Sequence, residues 1–398
     1  MFYVQVAMLL DPEGAGRETL LIVGGTPSGR GVVTSASYPV RAFGVRSGMP
    51  TGQALRLCPD AVVVPVPRGA CLERSTQVRA VLDEWSPVVQ AASIDEFYLD
   101  LSGTERIPGY EHMEPLAQRM RSDVLRRAQI SVSIGGGGTR IVAKLATSRA
   151  KPGGVHIVPT GGEADFMRQF RLNDIPGVGP SLGASLSRRG LHTVVDALEV
   201  DEEWLVRWLG DARGRWLHRR IRGIDGSSVQ AHEPRKSISS ERTFLEDVEG
   251  DEELEDQLFK LALSVGHSLR RASLRARTVT VKLRDQDFTT RSAARTLDDA
   301  IESDTALFQV GRALLGELRR KRRRPARLLG IGATGLVTAE REGQFEIFES
   351  KMQGERDRDR RVNRAVDQLR ARFGEAAVLP GRIAGSKRED PDLDGRER

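Results

Sequence analysis

The sequence predicts an α+β protein built from several domains, and three observations point that way. Its 398 residues exceed one ordinary domain. Strand-like and helix-like segments alternate from Ala61 to Val158 around a hairpin, which suits a sheet of mixed strand order packed on helices. Farther on, Thr278 to Arg284 alternates strictly, with Val279, Val281 and Leu283 inward and Thr280, Lys282 and Arg284 outward, the pattern of a half-buried strand.

The elements follow in order. Met1 to Leu10 is an apolar run, for which an extended strand start is the simplest local reading. Thr19 to Val23, Gly31 to Ser37 and Ala61 to Val66 read as short strands. Val78, Val81, Leu82 and Trp85 recur at helical spacing, so Leu72 to Trp85 is an amphipathic helix. Val88 to Ala92 and Phe97 to Leu101 form a hairpin. A helix over Pro115 to Arg127, a strand at Ile130 to Ile134, a helix over Arg140 to Arg149 and a strand at Val155 to Val158 come next. Between the last two strands, Gly135 to Gly138 reads as a flexible strand-to-helix turn. The Gly-rich stretch Pro159 to Glu163 marks a boundary. Ala164 to Arg222 is helical with short loops, and Trp204, Trp208 and Trp216 are expected to anchor its core. His232-Glu233-Pro234 reads as a linker, and Leu254, Leu258, Leu261, Val265 and Leu269 make one face of a helix. Val362, Ala365, Val366, Leu369 and Phe373 line a packing face of a last helix, and the charged tail from Gly385 is expected to be disordered.

Lys and Arg number 61 against 55 Asp and Glu. That near balance hides an asymmetry: Gln257 to Gly330 holds 17 basic and 7 acidic residues. Such a surface attracts phosphates and binds in a salt-sensitive way; a solubilising charged face is the alternative. Cys58 and Cys71 lie in no metal-ligand or CxxC spacing, which fits idle thiols in a reducing cytoplasm. No apolar run reaches the roughly 18 residues of a membrane span, and no signal-peptide pattern opens the sequence.

Asp95 and Glu96 carry the most chemistry. Neighbouring side chains on a straight strand point to opposite faces, so both acids reach one site only where the backbone bends, here at the hairpin turn. Two close carboxylates repel unless a cation lies between them, and Mg²⁺ is a usual one. A solvated hairpin tip is the other reading.

Ser93-Ile94-Asp95-Glu96-Phe97-Tyr98-Leu99-Asp100-Leu101 resembles the catalytic acid motif of the Y-family, the translesion DNA polymerases. Four further stretches match that family in order: Phe2 to Val6; Ser37 to Arg41 with Phe43 to Val45; Ala150 to Gly154; and Ile175 to Gly179. The resemblance runs from Phe2 to about Phe373, and the DNA polymerase IV branch is the nearest. It implies a right-hand polymerase: a ferredoxin-like palm (residues 1–10 and 66–158), small fingers (11–65), a helix-hairpin-helix thumb (159–232) and an α/β little finger (233–335). Residues 336–398 would hold a clamp-binding segment, a helix and the tail. The short fingers contain no long helix to clamp a new base pair, which fits low fidelity.

By this resemblance Asp95 bridges two Mg²⁺ ions and Glu96 holds the ion that activates the primer hydroxyl. Tyr38, Arg41 and Lys151 bind the triphosphate, with Ser35 adding a hydroxyl. Tyr3 is the steric gate against ribonucleotides. Gly177 and Gly179 offer backbone N–H groups to a DNA phosphate, and Lys282, Arg284, Arg291 and Arg295 track the duplex, aided by the run Arg319 to Arg324. Gln344, Ile347 and Phe348 resemble the peptide that binds the sliding clamp. The implied partners are primer-template DNA, deoxynucleoside triphosphates and the clamp, with no membrane, for a cytoplasmic monomer.

Three departures stand out. The family carries a further metal-binding Asp on a strand just before the aromatic pair, and this sequence begins at Met1. Ala7 replaces a customary Glu, and Thr139-Arg140 stands near a customary Asn-Lys. A shortened start and a loss of catalysis are the two readings of the first; under the second the chain is an impaired relative that acts as a DNA- and clamp-binding adaptor.

Overall fold

Alternating side-chain direction organises the first strand and, through it, the first layers of the fold. In β1 (Leu21–Gly24) every residue is buried. Leu21 and Val23 pack with Val4 and Ala7, whereas Ile22 packs with Val33, Val40 and Ala54. A strand whose side chains alternate thus serves two cores. The structure is a computed structural model that describes residues 1–338 apart from 105, 108, 110–111 and 232–233, and residues 357–384 apart from 375–376 and 379. Two compact units emerge, one from Met1–Gly25 with Val32–Glu233, the other from Thr26–Gly31 with the described residues after Pro234.

The first unit opens with α1 (Phe2–Leu10), not with an extended strand. Phe2 and Val6 face one core while Val4 and Ala7 face another. Burial on both sides overrides the modest helix propensity of the valines. β1 pairs antiparallel with β2 (Val33–Ala36) and parallel with β3 (Val62–Val64). Two short helices, α2 (Tyr38–Ala42) and α3 (Thr51–Leu57), lie between them in sequence. Next come α4 (Arg68–Asp83), the antiparallel hairpin β4 (Val88–Ala91) and β5 (Phe97–Asp100), and α5 (Met113–Ala128). Val78, Val81 and Leu82 of α4 meet Met120 and Val124 of α5 beneath Val89.

The strand expected at Ile130 to Ile134 sits later. It is β6 (Ile134–Gly136), parallel to β7 (Val155–Ile157), with α6 (Arg140–Ala150) between them. The glycine run is therefore a packed strand and its exit, not a flexible turn. A side chain at Gly135 would run into the Thr147 amide and Ala143 carbonyl of α6. One at Gly136 would lie 2.7 Å from Ile157, one at Gly137 2.5 Å from Val142, and one at Gly138 2.6 Å from Glu163. Only glycine permits so close a helix–strand approach.

A helical segment follows: α7 (Glu163–Met167), α8 (Pro180–Ser187), α9 (Val194–Leu198), α10 (Glu202–Leu209) and α11 (Asp211–Arg220). Thr193 and Asp196 form a reciprocal capping box at the start of α9. Ile141, Val142 and Leu145 of α6 share this core with Met167, Leu186 and Leu217. Trp208 and Trp216 pack against it, as expected, but Trp204 does not. It is 48% exposed, beneath the Arg207 guanidinium at 4.7 Å.

The second unit is a four-stranded antiparallel sheet in the order β10-β9-β11-β8. Its strands are β8 (Ser237–Val248), β9 (Leu274–Asp285), β10 (Thr290–Ile301) and β11 (Ala326–Thr338). One face is covered by α12 (Asp251–Arg271) and α13 (Asp304–Lys321). Val279, Val281 and Leu283 point into this core and Leu254 to Leu269 line the helix above them, as the periodicity predicts. After residue 356, α14 (Asp357–Phe373) docks on the same unit, by its polar side. Asp367 accepts from Arg270 Nε at 2.6 Å and meets His267 Nδ1 at 3.1 Å; Asn363 donates to Asp304 at 2.8 Å. Burial pushes the Asp367 carboxyl up, but His267 and Arg270 outweigh it and hold the group at about 2. The expected packing face is largely bare, with Val362, Leu369 and Phe373 exposed. No described helix is long and apolar enough to cross a membrane.

Gly135→Ala is expected to destabilise the first unit by about 3 kcal/mol or more, since overpacking against backbone cannot relax by side-chain motion. Thermal unfolding of Gly135→Ala beside Gly381→Ala, whose added methyl meets nothing within 4 Å, checks it; equal midpoints would show that the approach is not tight.

Candidate active site and nucleic-acid interface

The hairpin turn supplies the bend that the paired acids need. Ala92 and Ser93 both donate their N–H groups to the Glu96 carbonyl, at 2.9 and 3.2 Å. This closes the chain between β4 and β5 and brings Asp95 and Glu96 to the wall of one cleft of about 1650 Å³. The Ser93 hydroxyl donates to Asp95 Oδ1 at 2.6 Å and accepts the Asp95 N–H at 3.2 Å. Glu96 Oε2 pairs with Lys144 Nζ from α6.

Positive charge reaches the same cleft from two elements. Ser37 starts α2 and ties it to the sheet: its hydroxyl donates to the Thr19 carbonyl at 2.7 Å and accepts from Leu21 N–H at 3.2 Å. Tyr38 and Arg41 then lie three residues apart on α2 and both line the cleft. Arg41 Nε donates to the Ala36 carbonyl at 2.9 Å, and its guanidinium stands 5.4 Å from the Tyr38 ring centre. Lys151 is the C-terminal cap of α6, where a cation also meets the helix dipole favourably. On α6, Arg140, Ala143, Lys144, Thr147 and Ser148 recur at three- and four-residue spacing and all line the cleft. The helix is amphipathic: this polar face meets the cleft while Ile141, Val142 and Leu145 are buried.

Tyr3 is not among the cleft-lining residues, although its neighbour Phe2 is; it packs against the two apolar cores beside α1. Its ring meets Phe2 edge to face at 5.7 Å, and its phenol is raised by burial and by the nearby Asp95 charge. Ser35 is buried in β2 and is not among the cleft-lining residues. Thr139 and Arg140 have local work: Thr139 caps α6 and donates to the Gly223 carbonyl at 2.9 Å, and Arg140 donates to the Ser228 carbonyl at 3.0 Å.

Asp95 and Glu96 are hard oxygen donors, and no group of three or more His, Cys, Asp or Glu side chains forms a metal cage among the described residues. Mg²⁺ is commonly held by one or two carboxylates together with substrate phosphates. This donor set fits an ion bound with its nucleotide.

At the loop before α8, Gly177 has φ +100°, and a side chain there would lie 2.5 Å from Trp216. Nothing lies within 4 Å of where a Gly179 side chain would begin, so the backbone at the start of α8 is open. In the second unit the four expected duplex-tracking residues divide between two faces. Lys282 and Arg284 lie on the face away from the helices, with Lys282 paired to Glu241 at 2.8 Å and Arg284 hydrogen-bonded to Thr290 at 2.8 Å. Arg291 and Arg295 stand opposite Leu283 and Val279 in register, hence on the helix side. Arg291 pairs with the buried Asp285 at 2.9 Å and donates to the Leu318 carbonyl at 2.5 Å; Arg295 pairs with Glu317 of α13 at 2.7 Å. The basic run is partly consumed as well: Arg319 and Arg323 pair with Asp251, and Arg322 with Asp285 and Asp287. Gln344, Ile347 and Phe348 lie outside the described residues.

Lys144 and Tyr98 are site residues that the sequence reading passed over. Their signal was present. Lys144 lies four residues after Arg140, which puts both on one helix face.

Residues 1–148 match the impB/mucB/samB family, and residues 235–347 match the C-terminal domain of that family. The chain is similar to DNA polymerase IV of Caulobacter vibrioides, at 37% identity over 96% of this chain and 91% of that protein. It is also similar to DNA polymerase IV of Staphylococcus aureus, at 34% identity over 83% and 91%. Among solved structures, a Y-family DNA polymerase chimera of Dbh and Dpo4 superimposes with a TM-score of 0.77 at 24% identity, covering 85% of this chain and 97% of that one. DinB from Sulfolobus solfataricus matches with a TM-score of 0.57 at 24% identity over the same shares.

The division of the sheet predicts two different outcomes. Arg284→Ala should weaken duplex binding and lower the salt slope by about one unit. Arg291→Ala should leave the slope unchanged and cost about 2 to 3 kcal/mol of stability, because it strips a partner from a buried carboxylate. Binding titrations at several salt concentrations with parallel unfolding curves read both. Swapped effects would overturn the assignment of faces.

Proposed function

This chain belongs to the impB/mucB/samB family of Y-family DNA polymerases, and from that premise we propose how its own residues divide the work of a translesion DNA polymerase. The observation that carries the reading is one cleft lined by Asp95, Glu96, Tyr38, Arg41 and Lys151. The adaptor alternative is not favoured, since curated relatives at 34–37% identity over most of the chain are DNA polymerase IV proteins.

Phosphoryl transfer needs positioning and charge compensation more than covalent chemistry. Asp95 and Glu96 would hold two Mg²⁺ ions, which supply activation of the primer 3′-hydroxyl and neutralisation of phosphate charge. Ser93 orients Asp95 through the 2.6 Å hydrogen bond. Arg41, Tyr38 and Lys151 take the triphosphate oxygens, with Arg41 suited to bidentate contact. Tyr3 sits under the sugar and excludes a 2′-hydroxyl. The turn at Gly177, the open backbone at Gly179 and the outward Lys282 and Arg284 hold DNA phosphates without reading sequence. Gln344, Ile347 and Phe348 bind the sliding clamp, on the strength of their sequence pattern, and the protein works as a monomer in the cytoplasm.

Asp95→Ala or Glu96→Ala should lower Mg²⁺-dependent single-nucleotide extension of a primed template by about a hundredfold or more, equivalent to about 2.7 kcal/mol. Full activity in either variant would sink the metal assignment. Tyr3→Ala should raise the ratio of ribonucleotide to deoxyribonucleotide incorporation by about tenfold or more, or about 1.4 kcal/mol; an unchanged ratio in an active enzyme removes the gate role. Changing Ile347 and Phe348 together to Ala should abolish clamp-stimulated extension and weaken clamp binding by calorimetry, leaving distributive extension intact, because few residues dominate a small interface. Parent-like clamp binding would place that contact elsewhere.

A further inference from the structure

We propose that Lys144 is a built-in counter-ion for the acid pair: it holds Glu96 while the metal is absent and is displaced from it when a divalent cation binds. The inference rests on the assignment of Asp95 and Glu96 as metal carboxylates. Lys144 Nζ sits on Glu96 Oε2 inside the cleft, with both side chains 38% exposed. A half-exposed ion pair adds little to stability, so folding alone does not explain a lysine placed there.

The surroundings point to positioning. Tyr98, two residues after Glu96 on β5, lines the same cleft. The Arg140 guanidinium lies 4.3 Å from the centre of the Tyr98 ring and is itself anchored on the Ser228 carbonyl. Arg140 and Lys144 are one helical turn apart on α6. Glu96 is therefore held by a donor whose place is set by α6, while Asp95 is oriented by Ser93. A lysine ammonium is a compact charge on a flexible stem. It competes with a divalent cation for the same carboxylate oxygen, and it can swing away without any movement of the backbone.

The test is direct titration of the full chain with Mn²⁺ alone, without DNA or nucleotide, following free Mn²⁺ by electron paramagnetic resonance. Lys144→Met and Lys144→Gln should each bind Mn²⁺ about threefold tighter or more, the scale set by losing one half-exposed charge competitor. Lys144→Arg, which keeps the charge, should stay near the parent. In a Glu96→Gln background the Lys144→Met change should give no tightening. Two substitutions are used so that a folding failure in one leaves the other to decide. Unchanged or weaker Mn²⁺ binding in the folded Lys144 variants overturns the counter-ion role. Parent-like Mn²⁺ binding by Asp95→Asn would instead overturn the metal assignment beneath it.

Discussion

Two negative charges on consecutive residues are a problem that the surrounding structure must solve. The turn between β4 and β5 brings Asp95 and Glu96 to one cleft, where they repel. The elements around the cleft can be understood as answers to that repulsion. Helix α2 is fixed to β1 through Ser37 and presents Arg41. Helix α6 turns its cationic face to the acids and ends on Lys151. Its opposite face is buried in the core of the helical segment, so the placement of charge and the packing of that core are set by one element.

Much of this was legible in the sequence because the signals were local. The hairpin with acids at its turn, the helix ending at Lys151 and the alternating strand β9 all follow from periodicity and punctuation. The failures share a cause: they depend on what lies across from a residue. The valines of α1 suggested extension, yet two separate cores make it a helix. Trp204 was expected in the core because Trp usually is, but α10 buries only Leu205 fully. The face of α14 was visible in its pattern, but the charges of Arg270 and Asp304 that dock its polar side come from residues about 60 to 100 positions away. The resemblance groups Arg291 and Arg295 of the paired strand with Lys282 and Arg284; register alone assigns them to the other face.

The second unit shows why a count of basic residues overstates a field. Arg291, Arg295, Arg319 and Arg322 each meet a carboxylate. Part of the excess therefore fastens α13 to the sheet and to α12. Lys282 meets Glu241 as well, so what β9 offers outward is a short row of hydroxyls with Arg284 and a paired Lys282, a modest surface that suits sequence-independent contact with phosphates.

The glycine run constrains how this protein can diverge. A side chain at Gly135 would meet the backbone of α6 and one at Gly137 would meet Val142, so the spacing between β6 and α6 has no room to shrink. Sliding or tilting the helix is closed as a route to altering the cleft. Drift in lesion preference or metal preference is left to exchanges of side chains along the exposed face of α6, one residue at a time, on a backbone that does not follow.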